Sequence, residues 1–144
     1  MSLHGNYDPQ NVFAQIIRGE APCYKLYEDD DVLAFLDIFP QSFGHTLVIP
    51  KRSAARNILE IEVDALSKVM AVVQRLTQVL VDELAPAGVQ VAQFNGAPAG
   101  QTVFHIHMHI VPRFEGEALG IHASKKADPK DLEALQARLL KHLQ

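Results

Sequence analysis

Phe104-His105-Ile106-His107-Met108-His109-Ile110 alternates an apolar residue with a histidine at every step. Side chains of a β-strand alternate between its two faces. A strand here carries His105, His107 and His109 on one face and Phe104, Ile106, Met108 and Ile110 on the other. The apolar face has a core to pack on. A strand that only filled a core would be apolar on its second face as well, so three imidazoles in a row mark a polar cleft. The strand is read as Val103 to Val111.

The preceding strand is Gly88 to Phe94, joined to it by a glycine- and proline-bearing loop, Asn95 to Gly100. Further upstream, Lys25 to Glu28, a turn at Asp29 to Asp31, and Val32 to Asp37 read as a hairpin. Thr46 to Ile49 is a third strand, stopped by Pro50 and apolar enough to be covered on both faces. Between the hairpins lies the longest periodic segment, Glu62 to Leu84. Val63, Leu66, Val69, Met70, Val73, Leu76, Leu80 and Leu84 recur there at helical spacing. Glu60, Glu62 and Asp64 sit at its start, where the helix dipole favours negative charge. Val72, Val79 and Val81 widen the stripe and leave room for a subunit contact. Asp8-Pro9 offers a cap for a short first helix carrying Val12, Phe13, Ile16 and Ile17, ended by Gly19. Asp128-Pro129 caps a terminal helix with Leu132, Leu135, Leu139 and Leu140 inward. The order predicts an α+β fold: an antiparallel sheet of about five strands, one long helix and shorter helices at either end.

With 144 residues the chain is expected to form one domain over 1–144, with residues 1–10 a loosely held tail and 115–144 a C-terminal segment. At 48% hydrophobic and 21% charged residues it belongs with globular, not disordered, chains. The net charge is −4 and the longest basic run is Lys125-Lys126, which argues against a nucleic-acid partner. There is no apolar run of membrane-spanning length, so no membrane partner is expected. The first ten residues have no apolar stretch of signal-peptide type. One cysteine, Cys23, excludes an internal disulfide and fits a cytoplasmic location.

Three chemistries suit the histidine face. A metal centre is disfavoured by reach: alternate strand residues stand about 6.5 Å apart, so His105 and His109 are separated by roughly 13 Å at the backbone. Zinc holds imidazole nitrogens at about 2.0–2.1 Å, so two of the three could share an ion but not all three. A purely hydrogen-bonded face suits any one histidine, but burying three costs free energy unless each is paired. Nucleophilic catalysis needs one ring nitrogen free and aimed while the other holds its proton against an acceptor. His107 has an imidazole on each side along the face and is the natural nucleophile. Gly96, Ala99 and Gly100 allow close backbone approach to a phosphate, and Gln101 and Thr102 offer donors. The combination favours attack on phosphorus.

Residues 95–113, Asn-Gly-Ala-Pro-Ala-Gly-Gln-Thr-Val-Phe-His-Ile-His-Met-His-Ile-Val-Pro-Arg, resemble the signature of the histidine-triad (HIT) family. Two further blocks resemble it too: Tyr27 to Asp37 with Gly44 to Lys51, and Val12-Phe13 through Ile16 to Pro22. The resemblance covers about residues 11 to 114. It implies a nucleotide hydrolase or transferase in which His107 attacks an α-phosphate and forms a covalent nucleotidyl-histidine. Asp37 would accept from the ribose hydroxyls. Phe13, Phe35, Ile38 and Leu47, with Val12 a weaker candidate, would line the base pocket. His45 and His109 would form a supporting pair beside His105. Gln101, Thr102 and His109 would meet the phosphate or the leaving group, and Asn95 and Gly100 would shape the loop. Where some relatives carry an amide, this chain has Phe94.

Many bacterial members of that family bind zinc at positions occupied here by Asn11, Ala14 and Ser53, which are not zinc ligands. No metal and no cofactor are therefore expected, and Cys23 reads as a packing residue. His122 reads as a surface residue. The leading expectation is a hydrolase of purine nucleoside phosphoramidates or related nucleotides, with AMP as the bound moiety and a homodimer as the assembly. The alternatives are a dinucleoside polyphosphate hydrolase of the fragile-histidine-triad type and a nucleotide-binding scaffold without significant turnover.

Overall fold

The computed structural model describes residues 3–119 and 125–143. Five strands, β1 (Tyr24–Glu28), β2 (Val32–Leu36), β3 (Thr46–Pro50), β4 (Gly88–Ala92) and β5 (Met108–Arg113), form one sheet in the order β1-β2-β3-β5-β4. Every pairing is antiparallel. Three helices complete the α+β architecture: α1 (Val12–Ile17), α2 (Val63–Leu84) and α3 (Pro129–Leu140).

The central strands β2 and β3 are buried along their whole length, and side-chain alternation divides them between two cores. Val32, Ala34, Leu36 and Val48 join Val69, Leu76 and Leu80 of α2 and Leu132, Leu135 and Leu139 of α3. Leu33, Phe35, Leu47 and Ile49 point the other way and are closed by Phe13 of α1. Helices therefore cover both faces of β3, as its unbroken apolar run demands.

Local readings needed four corrections. Helix α1 starts at Val12, with Asn11 and not Asp8 as its cap: Asn11 Oδ1 accepts from Ala14 N–H at 2.9 Å. The Asp8 carboxylate is engaged in a turn, accepting from Gln10 N–H at 2.9 Å. On α2, Val72 and Val79 are buried in the core and are not available to a subunit contact. Val63, Met70 and Val81 are exposed instead, because they lie together about a third of a turn round the helix from the buried stripe. Strand β4 ends at Ala92, short of Phe94.

The largest correction is in the histidine stretch itself. Ladder pairing begins at Met108 opposite Val48, so residues 103–107 are not strand. On one side the neighbour ends, since β4 stops at Ala92 opposite His109. On the other, β3 runs on to Pro50 but stays paired only with β2, and the Pro50 carbonyl accepts from a His105 ring nitrogen at 2.9 Å. What holds the departing segment is a bond from Ile106 N–H to the Ala55 carbonyl at 3.0 Å.

Between β2 and β3, Gly44 takes φ +92° against the end of α2, where an added Cβ would stand 2.6 Å from Leu84 Cδ1. Only glycine fits there, and it sets the direction of His45, the next residue. The C-terminal segment returns to the same loop: Ala127 N–H donates to the Ile38 carbonyl at 2.9 Å. His122, read as a surface residue, lies outside the described residues.

Candidate active site

Opposed residues of antiparallel strands share a face. Phe35 lies opposite Leu47, and Leu47 opposite His109, so β5 delivers His109 to the α1 side of the sheet. A cleft of about 520 Å³ opens there, a size suited to a small ligand. One wall is apolar and aromatic: Val12, Phe13, Phe35, Ile38 and Leu47. The opposite wall carries Asp37, His45, His107, His109, Gly100 and Thr102. Phe13 bridges the two, meeting Phe35 edge-on at 5.5 Å and His107 at 4.9 Å between ring centroids.

The protonation pattern follows from main-chain anchors, because a carbonyl only accepts and an amide N–H only donates. His107 Nδ1 stands 2.8 Å from the His105 carbonyl oxygen. Its proton is therefore on Nδ1, and Nε2 carries the lone pair. His45 Nδ1 accepts from Gln41 N–H at 3.0 Å, which places the His45 proton on Nε2. That proton is donated to His109 Nδ1 at 2.9 Å. In its neutral form His109 then presents Nε2–H as a donor. One free base and one donor result, on rings whose centroids are 4.9 Å apart.

Burial keeps these rings uncharged. Desolvation, aided by the neighbouring His109, pushes the His107 pKa down to about 3, against the opposing bond to the His105 carbonyl. Desolvation likewise lowers His45 to about 4, with His107 and Arg113 adding to it. His105 is lowered by burial too, partly offset by the Pro50 carbonyl. For Asp37 burial acts in the other direction and raises the carboxyl to about 6, although Phe39 N–H, donating to Oδ1 at 2.8 Å, favours the anion. Oδ2 lies 3.5 Å from His45 Nε2, on the cleft side.

Three residues expected in the site stand behind it. His105 is 1% exposed and uses both ring nitrogens, on Pro50 and on Tyr7. Gln101, expected at the phosphate, is 3% exposed and spends its amide on the loop. Its Oε1 accepts from Gly96 N–H at 2.8 Å, while Nε2 donates to the Arg56 and Val103 carbonyls at 2.6 and 3.0 Å. Asn95 is a brace as well, its Oδ1 accepting from Ile58 N–H at 3.0 Å and from Gln93 Nε2 at 2.8 Å. Sequence reasoning missed six wall residues, Ile16, Pro22, Leu36, Phe39, Gln41 and Val103. Cys23 and Phe94 also line the cleft, Phe94 with its ring 5.1 Å from that of His109.

Asp37, His45 and His109 bring one ligand atom each within 4.8 Å of one another, close enough in principle for an ion. Their protons do not suit one. A metal on His45 Nε2 would move the proton to Nδ1, where Gln41 N–H already points inward. Asn11 and Ser53, read above as unable to hold zinc, serve the chain's own turns: Asn11 caps α1 and Ser53 Oγ accepts from Ala55 N–H at 3.3 Å.

Comparison with known proteins shows the family to which this fold belongs. The family model for the HIT domain matches residues 18–116. A Hit-like protein from Bartonella henselae, described as involved in cell-cycle regulation, superimposes with a TM-score of 0.87 at 41% identity, covering 95% of this chain and 99% of that one. A zinc-bound histidine triad family protein from Mycobacterium smegmatis follows at a TM-score of 0.80 and 37% identity, covering 93% of each chain. The adenylylsulfatase HINT3 of Arabidopsis thaliana is 41% identical over 108 residues, which are 75% of this chain and 54% of the plant protein.

Proposed function

Since this chain belongs to the HIT domain family, we propose that it hydrolyses or transfers purine nucleotides at a substituted α-phosphate, through a covalent nucleotidyl-His107 intermediate. The observation that carries this reading is the bond from His107 Nδ1–H to the His105 carbonyl, which leaves Nε2 as an unprotonated nucleophile facing the cleft. The base lies against Phe13, Phe35, Ile38 and Leu47. The ribose hydroxyls donate to Asp37 Oδ2, since Oδ1 is already engaged by Phe39 N–H.

In the first step the His107 Nε2 lone pair forms a bond to the α-phosphorus, and the bond from phosphorus to the leaving group breaks. For an amine leaving group, His109 Nε2–H supplies the departing proton. Thr102 and the Gly100 backbone face the phosphate oxygens. Water then attacks the same phosphorus and the bond from phosphorus to His107 Nε2 breaks, which restores that lone pair; the water proton passes to His109 Nε2, and the nucleoside monophosphate leaves. The plant adenylylsulfatase supports an adenylyl group with a varied leaving group as the substrate class. A nucleotide substrate and a lone cysteine are in keeping with a cytoplasmic location.

A second copy of the chain is proposed to pack on the open edge of β4, where Val91 is exposed beside Met70 and Val81 of α2. An unpaired strand edge with apolar neighbours is a ready pairing surface.

The test is turnover of an adenosine phosphoramidate by chelator-treated wild type and His107→Ala. Wild-type activity lost by about 10³-fold or more in the mutant supports the reading. An inactive wild type, or a mutant that keeps its rate, overturns it.

A further inference from the structure

The His105 carbonyl that fixes the His107 proton belongs to a segment that the sheet does not hold, since pairing in β5 begins at Met108. Something else must keep it aimed. Ile106 N–H on the Ala55 carbonyl anchors one side. The other anchor is the His105 ring, gripped at both nitrogens: Nε2 lies 2.9 Å from the Pro50 carbonyl and Nδ1 lies 2.7 Å from the Tyr7 hydroxyl. The Pro50 carbonyl can only accept, so the His105 proton is on Nε2 and the Tyr7 hydroxyl donates to Nδ1.

We infer that Tyr7 is a positioning residue: held over the back of the site by the N-terminal segment, its hydroxyl locks the His105 ring and through it the carbonyl that aims His107. The ring of Tyr7 also packs edge-on against His105, with centroids 5.7 Å apart. The segment that carries it is tied at both ends. The Leu3 carbonyl accepts from Asn57 Nδ2 at 2.7 Å and from Arg56 Nη1 at 3.4 Å. Arg56 and Asn57 are both buried, and Arg56 lies over the Phe104 ring at 5.1 Å, one residue before His105. At the other end the Asp8 carbonyl accepts from Asn11 N–H at 3.1 Å, which leads directly into α1. Residues expected to form a loose tail thus bring a hydroxyl to the first histidine of the triad.

His105 and His107, joined directly by the bond from His107 Nδ1–H to the His105 carbonyl, carry opposite tautomers, Nε2–H on His105 and Nδ1–H on His107. Removing the Tyr7 hydroxyl leaves His105 Nδ1 as a buried acceptor without its donor. The ring then keeps only its bond to the Pro50 carbonyl, about which it can turn, and the carbonyl at 105 is released with it.

The experiment compares wild type with Tyr7→Phe, which keeps the ring contact and removes only the O–H. Nitrogen-15 NMR of the histidine rings reads the tautomers without any substrate. Steady-state kinetics on an adenosine phosphoramidate, which rest on the function proposed above, read the consequence. The expected result is single, opposite tautomers at His105 and His107 in wild type, and in the variant a His105 that keeps Nε2–H beside a broadened His107 Nδ1–H. The kcat is expected to fall by about 10- to 100-fold, the scale of a small misplacement of a reacting group, with KM unchanged. An unchanged, sharp His107 Nδ1–H signal in Tyr7→Phe overturns the inference, whether or not kcat falls, because a lower rate would then come from general destabilisation. If wild type turns over no phosphoramidate, the functional reading fails while the NMR comparison still decides the role of Tyr7.

Discussion

Gln41 and His45 meet through a single bond from the Gln41 backbone amide to His45 Nδ1, 3.0 Å long, and this bond sets the direction of every proton up to the cleft. His45 Nε2–H must then donate to His109 Nδ1, and His109 must present its Nε2–H outward. A main-chain donor in a loop thereby fixes the tautomer of His109, as a main-chain acceptor at His105 fixes that of His107.

If His109 protonates the leaving group, its removal matters most where the leaving group is a poor one. His109→Ala is expected to slow an alkylamine phosphoramidate by about 10²–10⁴-fold, the usual contribution of a general acid. A substrate with an acidic phenol as leaving group should lose far less. Equal losses on both substrates would contradict the acid role.

The buried titratable groups make stability depend on pH with a definite sign. His45 and His107 bind protons far less readily when folded, at about 4 and about 3, than at the ordinary 6.5. Their contribution is present above pH 6.5 and is lost as the pH falls toward those values, on the order of a few kcal/mol each. Asp37 opposes them: raised from 3.8 to about 6, its contribution is full below 3.8 and is lost as the pH rises through 6. Two groups outweigh one, so urea unfolding should show lower stability near pH 5 than near pH 7. His45→Gln should flatten that dependence and Asp37→Asn should steepen it.

Core and flank of α2 are predicted to respond differently to truncation. Leu76 is 1% exposed, and Leu76→Ala should cost about 2–5 kcal/mol. Val63 is 79% exposed, and Val63→Ala should stay within about 0.5 kcal/mol. Thermal unfolding of the two variants checks the assignment of faces.

Gly44→Ala places a methyl group 2.6 Å from Leu84 Cδ1 at φ +92°. A loss of about 1–3 kcal/mol is expected from the backbone alone, and the direction of His45 should shift with it. Activity falling together with stability in this variant, despite an intact set of histidines, is the predicted outcome.

At the β4 edge, Val91→Lys puts a charge on the exposed strand opposite Met70 and Val81. Light scattering should then report monomers where wild type gives dimers. A variant that remains dimeric would place the second copy elsewhere.

The fold was legible because its elements are strongly patterned: β3 is apolar on both faces and α2 keeps its period for 22 residues. The triad's place was legible from Phe104 to Ile110 by alternation, although the ladder starts only at Met108. Alternation records which residues the chain places near each other; it does not record how far neighbouring strands stay paired. Gln101 looks like a phosphate contact because an amide suits that task, yet the loop that it braces needs the same hydrogen bonds, as it needs those of Asn95. Gln41 was beyond reach for a different reason, since its backbone and not its side chain acts on His45. Tyr7 carries no local signal at all, standing 98 residues from the ring it bonds.

The central claim is that His107 Nε2 becomes covalently bonded to phosphorus during turnover. Mixing the enzyme with an adenosine phosphoramidate, quenching in base within the first turnover and mapping the chain by mass spectrometry tests it directly. The account predicts an adenylyl group on the peptide containing His107, absent in His107→Ala. An adduct on another residue, or turnover in the first cycle with no adduct at all, would contradict it.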